Sequence, residues 1–534
     1  MRKLILTLAG MTVALALAMP SLAAEPRIGK YVRYDTGDFV IITSRSGSQA
    51  REFMRKLAMF RLSLEKVLGK RAARSGIGTH IVITSESDWD KYLRPRERIA
   101  GYFQRARFDN YMALNGDAGD YTIFVMFHEY THFFLASQFA GEYPPWLNEG
   151  LAEVMAYAKF DGSRLILQIP GFRVMEARDR DWIPFERLIK VDHRSPEYQQ
   201  HKLAESFYAQ AWLTVHYGMI EDREFGGQIF QYLTQRNTLV PHEQAARNTF
   251  GADLAAVDEK LRTYSRNRRM SSGALELGEL PEVVLPSPEP MSEADSLAAL
   301  IDVMLVTRAA PERIRPLVDS LKRREATAAR SYILAARLAE LENESAAFDA
   351  AVEQAVKHLK DGDQEGRREL GTVLLSSATD FSNMNTRTTA DTERDLKRAF
   401  QWFAEAVQRN PDDAKALWGL GAVLTRLNTD LDLADTALQA AYTRVPASAD
   451  IAVALANLKH RQEKPEDAMR YLQDTIRYAG DLGLRSWATQ SLQQTQDYIA
   501  ERDRVDEENR KQREAYEKQL AEYEKKYGKV KKKK

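Results

Sequence analysis

Hydrophobic and polar positions follow two rhythms in the first half of the chain. Tyr31–Tyr34, Phe39–Thr43, His80–Thr84 and Tyr111–Leu114 are short runs rich in β-branched and aromatic residues, which predicts strands. Residues 48–70 carry Phe53, Leu57, Phe60, Leu64 and Val67 at three- and four-residue spacing, which predicts an amphipathic helix. From Leu114 to about residue 267 the pattern is mostly helical, interrupted by the apolar run at 165–169. Residues 271–295 then change character. Pro281, Pro286, Pro288 and Pro290 among acidic residues predict an extended linker.

Beyond the linker the pattern is almost wholly helical, and it repeats. Pro411 and Pro446 lie 35 residues apart, close to a 34-residue period. Leu417, Leu420, Gly421 and Leu424 share one helix face, and Ala434 and Ala441 leave room for a second helix to approach closely. Ala452, Leu455 and Ala456, followed by Ala468 and Leu472, repeat the scheme; Ala399, Phe403 and Ala406 precede it, and Ala347, Phe348 and Ala351 fit it loosely. This resembles a degenerate tetratricopeptide (TPR) solenoid of three to five repeats, in which each unit needs neighbours to bury its face. An ordinary helical domain with Ala-rich packing is the alternative. Residues 500–534 are charged and helical in pattern as far as Tyr527, with Tyr516, Leu520, Tyr523 and Tyr527 forming a short apolar seam. That seam docks on the last repeat, pairs with another chain, or stays solvated.

Composition narrows the chemistry. The 534 residues include 76 Lys plus Arg, 76 Asp plus Glu and no Cys, which excludes disulfides, thiolate metal sites and cysteine nucleophiles. The formal net charge of zero gives no electrostatic reason to expect nucleic acid as a partner. Residues 1–24 have a basic start (Arg2, Lys3), an apolar stretch from Leu4 to Leu17, Pro20, and small residues before a cleavage point, the pattern of a secretory signal peptide. The expectation is an exported protein, periplasmic or secreted after cleavage, with an uncleaved anchor as the alternative. Setting aside Arg2, Lys3 and the seven lysines of 525–534 leaves 67 basic against 76 acidic residues, a formal charge of −9. The lysine tail either touches anionic membrane surfaces weakly or is simply solvated.

One motif carries chemistry. Residues 126–135 read MFHEYTHFFL, with His128-Glu129-x-x-His132. Residues four apart project from one helix face about 6 Å apart along the axis, so both imidazoles can bind one metal ion. Glu129 lies about 100° further around the helix and points beside such an ion, toward a water. The apolar surroundings (Ile123, Phe124, Val125; Phe133, Phe134, Leu135) make two histidines and a glutamate costly unless they have a partner.

Beyond His132, the run Pro144-Pro145-Trp146-Leu147-Asn148-Glu149-Gly150-Leu151-Ala152-Glu153, whose Glu149 lies seventeen residues on, resembles the gluzincin metallopeptidases, and most of all the compact bacterial "peptidase MA-like" families. The resemblance spans about 30–265 and implies an α+β zincin-like catalytic domain, followed here by an all-α TPR-like solenoid. It implies His128, His132 and Glu149 as zinc ligands and Glu129 as the general base. It also implies Tyr208, third in the segment SFYAQAWLTVHY, as the donor to the oxyanion, with core packing as the alternative. Zn2+ is the expected cofactor, since His₂Glu with an open position is a hydrolytic zinc arrangement.

Glu153, one turn past Glu149, can accept the free ring N–H of a ligand histidine or else make a surface ion pair. Asn148 and Gly150 are assigned to the turn into the helix and its close packing. His216 and Tyr217 lie too far along their helix to share the site. The Gly-x-Met-Glu-Asn segment that grips a free amino terminus in gluzincin aminopeptidases is absent. Gly101-Tyr102-Phe103 offers instead an edge strand for an extended substrate, so endopeptidase activity fits better.

The expected organisation is a signal peptide (1–24), a gluzincin-like metallopeptidase domain (25–270), a Pro-rich linker (271–295), a TPR-like domain (296–499) and a charged helix with a lysine tail (500–534). The expected function is zinc-dependent hydrolysis of a protein or peptide substrate, with the repeats holding a protein partner. A non-catalytic envelope scaffold that binds through its repeats is the competing reading. Hydrolysis of a non-peptide amide, such as one in a cell-wall peptide, uses the same chemistry.

Overall fold

A computed structural model describes residues 25–37, 39–69, 78–95, 99–106, 108–138, 143–192, 194–237, 240–278, 286–379, 387–479 and 482–528. The signal-peptide segment and the end of the lysine tail lie outside the described residues. Among the described residues no helix is long and apolar enough to cross a membrane.

The N-terminal unit is built on a six-stranded mixed sheet. Its strands are β1 (Val32–Asp35), β2 (Val40–Thr43), β3 (Gly78–Thr84), β4 (Gly101–Arg105), β5 (Asp109–Asn115) and a late two-residue strand, Glu289–Pro290. The spatial order is β4-β5-β3-β2-β1 and then Glu289–Pro290. The pairs β2–β3 and β3–β5 are parallel and the others antiparallel. Alternation along the strands divides the side chains between two cores. Ile41, Ile81, Ile83, Met112 and Leu114 face helices Gly47–Leu68 and Asp120–Gln138, where Phe60 stacks on Phe127 with ring centroids 3.9 Å apart. Ile42, Val82, Tyr111 and Ala113 face the other way.

The apolar run at 165–169 folds as β7 (Arg164–Leu167), paired with β6 (Ala158–Asp161) on one side and β8 (Gly273–Glu276) on the other; Glu289–Pro290 is then β9. Residues 271–295, expected as a linker, therefore hold two strands at their described ends, one in each sheet. The next two helices, Glu293–Val306 and Pro311–Arg324, are not free either. Leu297, Leu300, Ile301, Met304, Leu317 and Leu321 share a core with Ile42, Val82 and Trp89, so they cover the second face of the main sheet.

From there the chain is an all-α array of antiparallel pairs. Ala329–Leu341 pairs with Ser345–His358, Gln364–Thr379 with Thr389–Arg409, Ala414–Leu427 with Leu431–Arg444, and Ala449–Arg461 with Pro465–Tyr478. The small residues read from the sequence sit where helices approach. Phe403, fully buried, lies so close to Gly419 that a Cβ there would come within 2.2 Å of its ring. Helix Leu482–Tyr527 closes the array and runs 46 residues. Its later turns leave the array, and Tyr516, Leu520, Tyr523 and Tyr527 remain exposed rather than docked on the last repeat.

Phe403 joins three helices in one contact, so its truncation leaves a cavity that backbone cannot fill. Phe403→Ala is expected to lower stability by about 3–5 kcal/mol, read as a shifted denaturant midpoint of the repeat region.

Candidate metal centre

Helix Asp120–Gln138 turns its Met126, Phe127, Tyr130 and Phe134 into the core under the sheet. That leaves His128 and His132 on the opposite side, facing helix Pro145–Ala156. Pro145 at the first position of the second helix supplies a pre-set φ and needs no N–H donor there. Leu147 and Asn148 donate their N–H groups back to the Pro144 carbonyl, which fixes the entry of the chain and sets Glu149 at the start of the second turn. Gly150 then permits the helix to lie against helix His201–His216. A Cβ at Gly150 would sit 2.4 Å from the Ala211 carbonyl oxygen.

The three side chains converge. His128 Nε2 and His132 Nε2 are 3.1 Å apart. Glu149 Oε2 lies 3.3 Å from the first and 3.4 Å from the second. A tetrahedral ion with bonds of about 2.0–2.1 Å holds its ligand atoms about 3.3 Å apart, so this triangle has the dimensions of three ligands of one metal. Glu149 is 4% exposed, and its Oε2 has no hydrogen-bond partner, while Oε1 accepts the Tyr198 hydroxyl at 2.8 Å. Among the described residues this is the one His/Asp/Glu cluster with metal-ligand spacing.

Electrostatics point the same way. Burial opposes ionisation of Glu149, yet the two imidazoles outweigh it and hold its carboxyl well below the usual range. Burial likewise opposes charge on His132, but the Glu149 carboxylate pushes it up to about 9. The triangle therefore demands positive charge at its centre, from a proton or from a metal ion.

Outer contacts orient the ligands, and here the structure departs from expectation. His132 Nδ1 is 3.0 Å from Asn148 Oδ1, an arrangement in which the ring donates and leaves Nε2 free to bind. Asn148, assigned to the turn into the helix and its close packing, thus also orients the His132 ring across the helix pair. Glu153 faces His128 as expected, but its Oε1 stands 3.7 Å from Nδ1, too far for a hydrogen bond. Its direct partner is Arg173, which donates from Nε at 2.9 Å and Nη2 at 3.0 Å and also reaches Glu176.

Glu129 is half-buried and accepts the backbone N–H of Phe103, on β4, at 3.1 Å. Burial is the largest influence on its carboxyl and raises it above its ordinary value, although both imidazoles act against this. Tyr208 lies at the same site, hydrogen-bonded to Tyr198 and close enough to feel Glu149, Glu153 and Glu129. Burial first, and then Glu149, pushes both phenols well above their ordinary value, so each keeps its proton to donate. His216 is elsewhere, fully buried with Nδ1 2.8 Å from the Tyr264 hydroxyl. Tyr198 and Arg173 carry no sequence signal; each reaches the site from a short helix that only the tertiary fold brings there.

No family model matches the chain, and neither does any curated protein sequence. Among solved structures it is similar to one described as "Crystal structure of YrrB: a TPR protein with an unusual peptide-binding site", at 20% identity over 37% of this chain and 92% of that one, with a TM-score of 0.27. A superposition that loose carries no conclusion; the repeat architecture rests on the helix pairing above.

Because Asn148 fixes a ring and Glu153 mainly neutralises Arg173, the two should differ. Asn148→Ala is expected to weaken divalent-metal affinity by about 10–100-fold, and Glu153→Gln by less, in competition titrations against a chelating dye.

Proposed function

We propose that this chain is a zinc-dependent metallopeptidase of gluzincin type whose helical repeats hold a protein partner, exported by way of its N-terminal segment. The observation that supports it most is the 3.1–3.4 Å triangle of His128 Nε2, His132 Nε2 and Glu149 Oε2, with Glu129 beside it and an open strand edge above. Zinc held there supplies Lewis acidity, lowering the pKa of a water and polarising a carbonyl. Two neutral imidazoles and a carboxylate suit that ion, and the orphaned Glu149 oxygen is the atom that would meet it.

The remaining work falls to the protein. Glu129 takes the proton of the attacking water as its oxygen bonds to the carbonyl carbon, then passes it to the amide nitrogen as the C–N bond breaks. The raised carboxyl of Glu129 suits both halves of that exchange. Tyr208, with Tyr198 beside it, offers a protonated hydroxyl to the carbonyl oxygen as charge develops.

The substrate backbone would lie along β4. Ala106 N–H bonds to Asp109 O and Asn115 N–H to Ala100 O, each at 2.8 Å. In the antiparallel alternation this directs Tyr102 and Gln104 toward β5 and turns Gly101, Phe103 and Arg105 to the outer edge. An extended chain can add there without a free terminus, which favours endopeptidase action.

The purified protein is expected to hold about one zinc per chain by elemental analysis, and His128→Ala and Glu149→Ala to hold none. Glu129→Gln should keep the metal and lose about 10²–10⁴-fold in hydrolysis of an unstructured protein substrate. Undiminished hydrolysis in that variant would sink the assignment of Glu129. A zinc-loaded wild type that cleaves nothing while still binding partners would favour the scaffold reading.

A further inference from the structure

The β4–β5 hairpin reaches from the candidate site into the helical array. A residue at a hairpin tip normally faces water, yet Phe108 is 7% exposed and belongs to the core of the repeats. Its ring meets Trp418 edge-on, with centroids 4.9 Å apart and planes at 62°. Next to it Asp109 lies 3.7 Å from Lys415 Nζ and 3.6 Å from His80 Nε2. Two consecutive residues of one unit, an aromatic and an acid, are thus seated on the helices of the other.

The seat is larger than its occupant. A cavity of about 1200 Å³ continues beside the tip, between the hairpin and the repeat helices. That exceeds the roughly 300–1,000 Å³ of small-molecule pockets and has room for a chain segment. Three ion pairs line its walls: Arg337 with Asp302, Lys415 with Glu369 at 2.9 Å, and Arg368 with Asp413 at 3.3 Å. A highly charged ligand would have to break those pairs. An aromatic anchor followed by a single carboxylate, the chemistry already seated there, would not.

We propose that Trp418 and Lys415 form a docking site for an extended segment presenting an aromatic residue followed by an acidic one, and that Phe108–Asp109 is its built-in competitor. Arrival of the external segment releases the hairpin tip. The same hairpin carries Phe103, whose N–H holds Glu129 at 3.1 Å, so release loosens β4 beside the site. The docking stands without any peptidase activity; only its consequence for hydrolysis rests on the reading above.

The test uses the full chain and a fluorescent peptide copying the tip, Arg-Ala-Arg-Phe-Asp-Asn, followed by anisotropy. Phe108→Ala vacates the seat and is expected to bind the probe at least about 10-fold more tightly than wild type, because the tethered competitor is gone. Adding Lys415→Glu to that variant should abolish the gain, and a probe with Ala in place of Phe should not bind. Asp109→Asn, which leaves the ring seated, should tighten binding by about 3-fold and serves if Phe108→Ala does not fold. Saturating peptide on the wild type should speed amide hydrogen exchange at residues 101–105. A folded variant of either kind that binds the probe no better than wild type overturns the docking site. Binding without faster exchange in β4 overturns the link to the catalytic helix. Neither readout depends on hydrolysis or on metal, so failure here is separable from failure of the peptidase reading.

Discussion

Glu149 is the residue whose requirements constrain the most surrounding structure. A carboxylate withdrawn from water is tolerated only with hydrogen bonds and opposite charge close by. Tyr198 satisfies one oxygen, and the other is left facing two imidazole nitrogens. For that meeting to occur, helix Pro145–Ala156 must lie directly across helix Asp120–Gln138 while also resting on helix His201–His216. The missing side chain of Gly150 permits the second contact, and the Arg173–Glu153 pair ties down the far end of the same turn.

The second organising feature is that the main sheet is covered on both faces by different parts of the chain. Helices Gly47–Leu68 and Asp120–Gln138 cover one face, and helices Glu293–Val306 and Pro311–Arg324 cover the other. A parallel pair such as β2–β3 is ordinarily buried on both sides, and Val82 and Ile83 point to opposite cores accordingly. The helical array is therefore joined to the N-terminal unit through a shared core, not through a tether. Phe108 adds a second point of attachment, so motion of the array acts on the sheet at two places.

What the sequence revealed follows from how local each signal is. His128, Glu129 and His132 lie within one turn, so their spacing alone defines a shared face. Glu149 needed the likeness of its surrounding run, because nothing in its own spacing ties it to a helix seventeen residues earlier. Asn148 serves the turn through its backbone N–H, as a polar residue at a helix start ordinarily does, and only the angle between two helices aims its side chain at His132 as well. Tyr198 and Arg173 are set by tertiary packing and left no trace. In the array, small residues such as Gly421 announced close helix contact, and a Cβ there would meet Leu438 at 2.5 Å. The apolar faces of Leu297, Leu300 and Met304 looked like any other helix face, because periodicity reports burial but not the partner. Of the prolines of 271–295, Pro290 stands in a strand, and strands share extended backbone with linkers.

The two edges of the sheet differ, and only one of them lies beside the proposed site. An unpaired strand edge invites another chain, and proteins blunt such edges with short strands, charge or proline. At the β9 edge all three devices are present: two residues, an Arg33–Glu289 ion pair at 2.9 Å, and Pro290, which has no N–H to offer. At the β4 edge none is present over Gly101–Phe103; instead the Phe103 N–H is taken up by Glu129. A strand adding at β4 would align with Gly101, Phe103 and Arg105 and compete for the donor that Glu129 holds. On the proposed function, substrate arrival and release of the Glu129 carboxylate would be one event, the base becoming free only when a backbone lies along β4.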